Sequence, residues 1–283
     1  MKPAAFDYVR AENALHAATL LLQYGEDARI LAGGQSLLAI LNMRLAQPSL
    51  LIDISRTASL GELSADARGL HIGAAVTQSA VEWRTSLARE VPLLAMAMPH
   101  ISHFQIKNRG TVCGSIVHAD PSAELPLVLL MLAGDIRLKS SKAHRVVPAA
   151  EFFTGMLSTS RREDEIVESV RFPLAEVDTG YAFVEFSQRH GDFAVCAVAA
   201  IARENSLRIA VGGVADRPTA QDLPMLEGAA LTDALNDFAW SLGARDGHDI
   251  TARARRHLVR RLGAQAVSAS IADRSRRTVR TRA

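Results

Sequence analysis

The chain has 283 residues, 48% of them hydrophobic and 22% charged, which is enough to bury a substantial core and more than a common single domain, so two or three lobes are expected. A formal net charge of only +2 gives no general electrostatic grip on nucleic acid or an anionic membrane and leaves small ligands as the expected targets. The two cysteines, Cys113 and Cys196, lie far apart with no CxxC or Cys/His array, which excludes a structural zinc site or an iron–sulfur cluster assembled from this chain.

The first fifteen residues lack a basic start followed by an apolar stretch, and the longest apolar run, around Leu125 to Ala133, falls well short of the ~20 residues that span a bilayer. A soluble, cytoplasmic chain without a transmembrane segment is therefore expected. From Asn13 to Tyr24, Ala14, Leu15, Ala18, Leu21 and Leu22 recur at helical spacing before Gly25. The short apolar run from Arg29 to Ala32 predicts a buried strand. It leads through Gly33-Gly34-Gln35-Ser36 into a second helical pattern, Leu37 to Leu45. Leu50 to Ile54 predicts another strand and completes a small α/β unit, residues 1–56.

A second lobe, 57–175, follows. The patterns predict a strand at Leu70 to Ala74, a helix starting at Thr77 and running through Trp83, and one helix over Leu87 to Met98. A polar, glycine-containing segment from His100 to Asp120 precedes a helix from Ser122 to Ala133. Strands at Asp135 to Ser140 and Ile166 to Phe172, with a turn at Arg161 to Asp164, close the lobe before Pro173. In a third lobe, 176–272, strand-like runs at Tyr181 to Arg189, Val195 to Ala202 and Leu207 to Val214 have the short spacing of an antiparallel meander. Helices at Ala229 to Leu242 and Ala252 to Ala269 finish it. Residues 273–283 are basic, nearly devoid of apolar side chains, and expected to be a disordered tail. The fold class is α+β: two α/β lobes, then a lobe with a three-stranded antiparallel sheet and helices.

Two glycine segments combine the features a phosphate needs: Ala32-Gly33-Gly34-Gln35-Ser36 and Thr111-Val112-Cys113-Gly114-Ser115. Glycine lets the backbone come close and expose its amides, and the hydroxyls add uncharged donors. Either segment alone reads first as an ordinary turn. Together they suit a pyrophosphate clasped from two sides. Neither fits the GxGxxG or GxxxxGK[ST] spacing, so a Rossmann nicotinamide site and a P-loop are not supported. His100 and His103 have no further ligand at metal spacing, and no GxSxG elbow supports a hydrolase built on Ser36, a histidine and Asp53. No metal ligands and no catalytic residues are assigned.

Over nearly its whole length the chain resembles the FAD-binding medium subunit of the xanthine dehydrogenase and carbon monoxide dehydrogenase family of molybdenum hydroxylases, whose FAD domain is of the PCMH type. The resemblance rests on Leu31-Ala-Gly-Gly-Gln-Ser-Leu37, on His103 to Ser115 with its continuation His118 to Pro126, and on Arg189-His-Gly-Asp-Phe-Ala194. Weaker echoes stand at Gly212-Gly-Val214 and Arg255-Arg-His-Leu258.

The resemblance implies an FAD held between the two N-terminal lobes. Residues 32–36 and 111–115 would bind its pyrophosphate and ribityl region, Glu124 would hydrogen-bond it, Val167 would touch the flavin, and Asp192 would lie near the same cleft. It further implies a molybdenum-binding large subunit and a small subunit with two [2Fe–2S] clusters, assembled as a dimer of heterotrimers. Electrons would pass through FAD to a quinone, NAD or a carrier protein. Cys113 departs from the family's usual glycine; at a positive φ its side chain would cost roughly 1–2 kcal/mol. Two rivals stay open at this point: a self-contained flavin oxidase of the vanillyl-alcohol oxidase type, and a scaffold subunit that has lost its cofactor.

Overall fold

The computed structural model describes residues 2–247 and 250–282. The chain opens with β1 (Asp7–Arg10), α1 (Ala14–Tyr24), β2 (Ala28–Leu31), α2 (Leu37–Asn42) and β3 (Leu50–Asp53). These strands form an all-parallel sheet in the order β1-β3-β2. The Asn13 side chain accepts the amide of His16 and starts α1, and Gly25 ends it at φ 53°.

Next come β4 (Leu63–Asp66), β5 (Gly69–Gly73), α3 (Gln78–Glu82), α4 (Leu87–Glu90), α5 (Pro92–Ala97), α6 (Phe104–Lys107), α7 (Val112–His118) and α8 (Glu124–Met131). They are followed by β6 (Asp135–Lys139), β7 (His144–Pro148), α9 (Ala149–Phe152), the short hairpin β8 (Phe153–Gly155) and β9 (Ser158–Thr159), and β10 (Ile166–Phe172). The second sheet has the order β4-β5-β10-β6-β7, antiparallel throughout. The single helix expected over Leu87 to Met98 is two, α4 and α5. Pro92 has no amide to continue α4, and Val91 before it sits at φ −137° and ψ 75°. The segment from His100 to Asp120 holds α6 and α7, which are too short to show an apolar period.

The last part comprises β11 (Gly180–Phe186), β12 (Cys196–Ala202), β13 (Ser206–Gly212), β14 (Thr219–Pro224), α10 (Gly228–Ser241) and α11 (Ala252–Arg282). The antiparallel meander is therefore four-stranded, in chain order, and the expectation of three strands is corrected. The missed strand, Thr-Ala-Gln-Asp-Leu-Pro, is a half-exposed edge with no run of β-branched residues and a terminal proline. β12 is buried at every position because α11 covers one side of its sheet and α8 the other, which explains its unbroken apolar run.

The segment 273–283, expected to be disordered, instead continues α11 through Arg282; residue 283 lies outside the described residues. Composition misled because one carboxylate is drawn inward. Asp273 is buried, accepts the amide of Tyr181 at 3.1 Å and pairs with Arg277 at 2.6 Å. The Arg277 guanidinium lies 5.4 Å from the Tyr181 ring centroid.

Helix α8 is the centre of the molecule. All eight of its residues are buried, and it packs on α5, α7 and α9 as well as on β12, β13 and β14. A helix apolar on every side is enclosed on every side. Its first residue, Glu124, is thereby carried into the interior. Among the described residues no helix is long and apolar enough to cross a membrane.

Candidate functional site

A cavity of about 690 Å³ opens where the carboxyl end of β2, the N-terminal end of α7 and the start of α8 meet. Clefts outside the carboxyl ends of parallel strands are common ligand sites, and this volume lies within the range such sites occupy. Twelve of the thirteen residues singled out in the sequence line it: Ala32, Gly33, Gly34, Gln35, Ser36, Thr111, Cys113, Gly114, Ser115, Glu124, Val167 and Asp192. Val112 does not. Its side chain is buried in the core and its amide donates to the Val76 carbonyl at 3.3 Å.

The first glycine segment meets the backbone that leads into the second. A Cβ placed on Gly33 would stand 2.2 Å from the Arg109 carbonyl oxygen and 2.6 Å from the Gly110 Cα, so only glycine lets the first loop lie this close to the second. Gly34 turns at φ 74°. Among the described residues the amides of Gly33, Gly34, Gln35 and Ser36 donate to no protein acceptor, and the Ser36 and Ser115 hydroxyls have no partner.

The second loop is stitched in place by the stretch before α3. Thr77 bridges Thr111 in antiparallel fashion, and the Gln78 amide donates to the Gly110 carbonyl at 2.8 Å. Thr111 then caps α7, its hydroxyl accepting the Gly114 amide at 3.0 Å. A Cβ at Gly114 would come within 2.7 Å of that hydroxyl. Gln78 Oε1, at the cavity wall, is buried without a hydrogen-bond partner among the described residues, an acceptor available to a ligand donor.

Cys113 does not strain the loop. It lies in α7 outside the positive-φ positions, and its thiol turns to the core, donating to the Ile72 carbonyl at 3.4 Å. Burial pushes that thiol up to about 12, which leaves it protonated and unreactive at neutral pH. His100 stacks near His190 with centroids 6.5 Å apart and lies 5.2 Å from Phe183. Asp53 is held by the Tyr8 hydroxyl and the Ser55 amide.

Burial raises the Glu124 carboxyl to about 7, with Asp120 adding to the rise and its own amide and Lys107 opposing it. Glu185 on β11 is pushed to about 8, first by burial and then by the charge of Glu124. A carboxyl near 7 carries its proton much of the time and can donate as well as accept. The cavity therefore offers neutral amide, hydroxyl and carboxyl donors suited to a hydroxyl-rich, anionic ligand.

The Glu124 shift has a testable sign. Its folded value lies above the ordinary 4.5, so its contribution to stability is full below about pH 4.5 and lost as pH rises through about 7. At 1.36 kcal/mol per pKa unit the ligand-free chain should lose roughly 3 kcal/mol of stability from this group between pH 5 and 8.5. Urea melts at the two pH values should show a loss in Glu124→Gln smaller than the native one by about that amount, the loss that remains coming from Glu185, whose carboxyl burial also raises.

Sequence reasoning missed Arg29, Gln78, Leu157 and Arg161 at the cavity wall, and Phe193 although it falls inside the quoted Arg189 to Ala194 stretch. His118 and Asp120, also at the wall, fall inside the His118 to Pro126 stretch and were within reach; the arginines carry no local pattern.

Residues 4–175 match the family described as the FAD binding domain in molybdopterin dehydrogenase. The chain is 40% identical over 201 residues to the 6-hydroxypseudooxynicotine dehydrogenase complex subunit alpha of Paenarthrobacter nicotinovorans, covering 71% of this chain and 68% of that one. It is 37% identical over 234 residues to the nicotine 6-hydroxylase medium subunit of the same organism, covering 80% and 81%. Among solved structures it is similar to a carbon monoxide dehydrogenase from Hydrogenophaga pseudoflava that lacks the Mo-pyranopterin moiety of its molybdenum cofactor. That match has a TM-score of 0.90 at 28% identity over 96% of this chain and 99% of the other.

Proposed function

This chain belongs to the FAD-binding family of the molybdopterin dehydrogenases and is an oxidoreductase subunit of that family, and on that premise we propose that it is an electron-transfer subunit with FAD in the 690 Å³ cavity. We read residues 1–56 and 57–175 as the two lobes that close on the cofactor and 176–272 as the third. FAD, when bound, supplies a redox centre between the iron–sulfur clusters of a small partner subunit and an external acceptor, while a molybdenum-binding large subunit acts on the organic substrate.

The observation that carries this reading is the contact of Gly33 with the Arg109–Gly110 backbone, which brings the open amides of Gly33 to Ser36 beside the turn that starts α7. Gly33 to Ser36 would donate their open amides to the diphosphate from one side, and Gly114 and Ser115 would face it from the other. Glu124 would hydrogen-bond a ribityl hydroxyl, Gln78 Oε1 would accept from the ligand, and Val167 would lie against the flavin ring. Asp192 stands in the same cavity on the segment after Gly191, which turns at φ 84°. None of these groups touches an organic substrate; the chain's own work is to bind, orient and shield.

The test is to purify the native assembly and measure its flavin, iron and molybdenum. Stoichiometric FAD on this chain together with both metals is expected. Flavin without iron and molybdenum would favour the self-contained oxidase, and an assembly free of flavin would favour the scaffold and overturn the proposal.

A further inference from the structure

Lys107, the last residue of α6, is a charged side chain carried into the interior, only 7% exposed. Its ammonium donates to Glu82 Oε1 on α3 and, at 3.2 Å, to the carbonyl of Met98. Lysines are rarely enclosed unless paired, and a buried pair commonly adds no more stability than apolar side chains of the same volume. What such a pair does supply is direction: an N–H must point at its acceptor, whereas apolar packing tolerates sliding.

The register fixed in this way belongs to the backbone that Gly33 touches. Helix α6 is a single turn of four residues, too short to hold itself. It runs straight into Arg109 and Gly110, whose amides both donate to the Ile106 carbonyl, at 3.1 and 2.7 Å. Helix α3 grips this segment at two points one turn apart. Its first residue, Gln78, donates its amide to the Gly110 carbonyl at 2.8 Å, and its last, Glu82, takes the Lys107 ammonium. The bond to Met98 adds a third tie, to the turn Met98–His100. Neither Lys107 nor Glu82 lines the cavity, so neither touches a ligand held there.

Resting on the flavin reading above, we propose that Lys107 and Glu82 are positioning residues for the cofactor: their ion pair sets α6 on α3 and so holds the Arg109–Gly110 backbone, and the start of α7, where the open amides of Gly33 to Ser36 can share one diphosphate with the second loop.

The experiment uses the native assembly, freed of flavin and titrated with FAD by flavin fluorescence. It compares the native chain with Lys107→Met, Glu82→Gln, the double variant Lys107→Met/Glu82→Met, and Lys107→Met combined with Gly33→Ala, with thermal melts of each. Lys107→Met and Glu82→Gln should each weaken FAD roughly tenfold, the worth of one misplaced hydrogen bond. The double variant should melt near the native temperature, because two methionines fill the volume and leave no charge unpaired, yet it should bind FAD as weakly as the single variants. In the Gly33→Ala background Lys107→Met should cost less than about twofold, because the contact it maintains is already broken. If Lys107→Met alone does not fold, the double variant takes its place in that comparison.

Native FAD affinity in Glu82→Gln or in the double variant would show that the pair only fills space. Tighter FAD binding in Glu82→Gln would show that the Lys107 charge itself draws in the diphosphate, and full additivity with Gly33→Ala would place the effect elsewhere. Each would overturn the positioning role while leaving FAD binding in place. A native assembly that takes up no FAD would take down the flavin reading and this inference with it.

Discussion

Gly33→Ala is expected to weaken FAD binding by at least about 100-fold while the chain still folds. The methyl group would meet the Arg109 carbonyl oxygen at 2.2 Å, the Gly110 Cα at 2.6 Å and the Arg109 carbonyl carbon at 2.8 Å. All three are backbone atoms, so no rotamer change relieves the clash and the loops must separate. Charge-assisted hydrogen bonds to a phosphate are worth roughly 1.5–3 kcal/mol each, and misplacing two of them accounts for the loss.

Gly34→Ala is the instructive comparison. Its new Cβ would press only on the Leu31 and Leu38 side chains at 3.2 Å, and its cost is that of a left-handed residue at φ 74°, about 1–2 kcal/mol, or roughly tenfold. Flavin content of the purified variants and their FAD dissociation constants give the order: native, Gly34→Ala, Gly33→Ala. Native flavin affinity in Gly33→Ala would mean that the two loops do not act on one ligand.

Gly180→Ala should cost about 3–5 kcal/mol and lower Tm by roughly 10 °C without touching the cavity. Gly180 opens β11 directly beneath α11, and a Cβ there would lie 1.9 Å from the Ser270 carbonyl oxygen and 2.3 Å from the Arg274 amide nitrogen. Helix α11 would have to lift from β11, exposing the fully buried Ser270 and pulling Asp273 from the Tyr181 amide. Gly228→Ala is the control. Nothing lies within 4 Å of its Cβ, and only the φ of 56° is penalised, at about 1–2 kcal/mol. Thermal melts of the two variants should differ by several degrees; equal melts would show that α11 is not seated on β11 as closely as described.

The chain's own pattern located most of the scaffold where local chemistry is self-sufficient. Asn13 and Gly25 bracket α1, Thr77 caps α3, and the apolar runs at Leu50 and Cys196 became buried strands. It failed where an element depends on its neighbours. β14 is held by pairing with β13 and α7 by its Thr111 cap, and neither has an apolar period of its own.

The glycine segments 32–36 and 111–115, the Glu124 stretch and the family resemblance were all written in the residues, because a phosphate-approaching backbone requires glycines beside hydroxyls whatever surrounds it. What the tertiary structure alone decided is convergence and environment. Gly33 meets Arg109 across 76 positions, a fully buried α8 lifts the Glu124 carboxyl to about 7, and Arg29 and Arg161 share one wall. Each depends on segments distant in the chain being packed together, and neither desolvation nor close approach is a property of a residue taken alone.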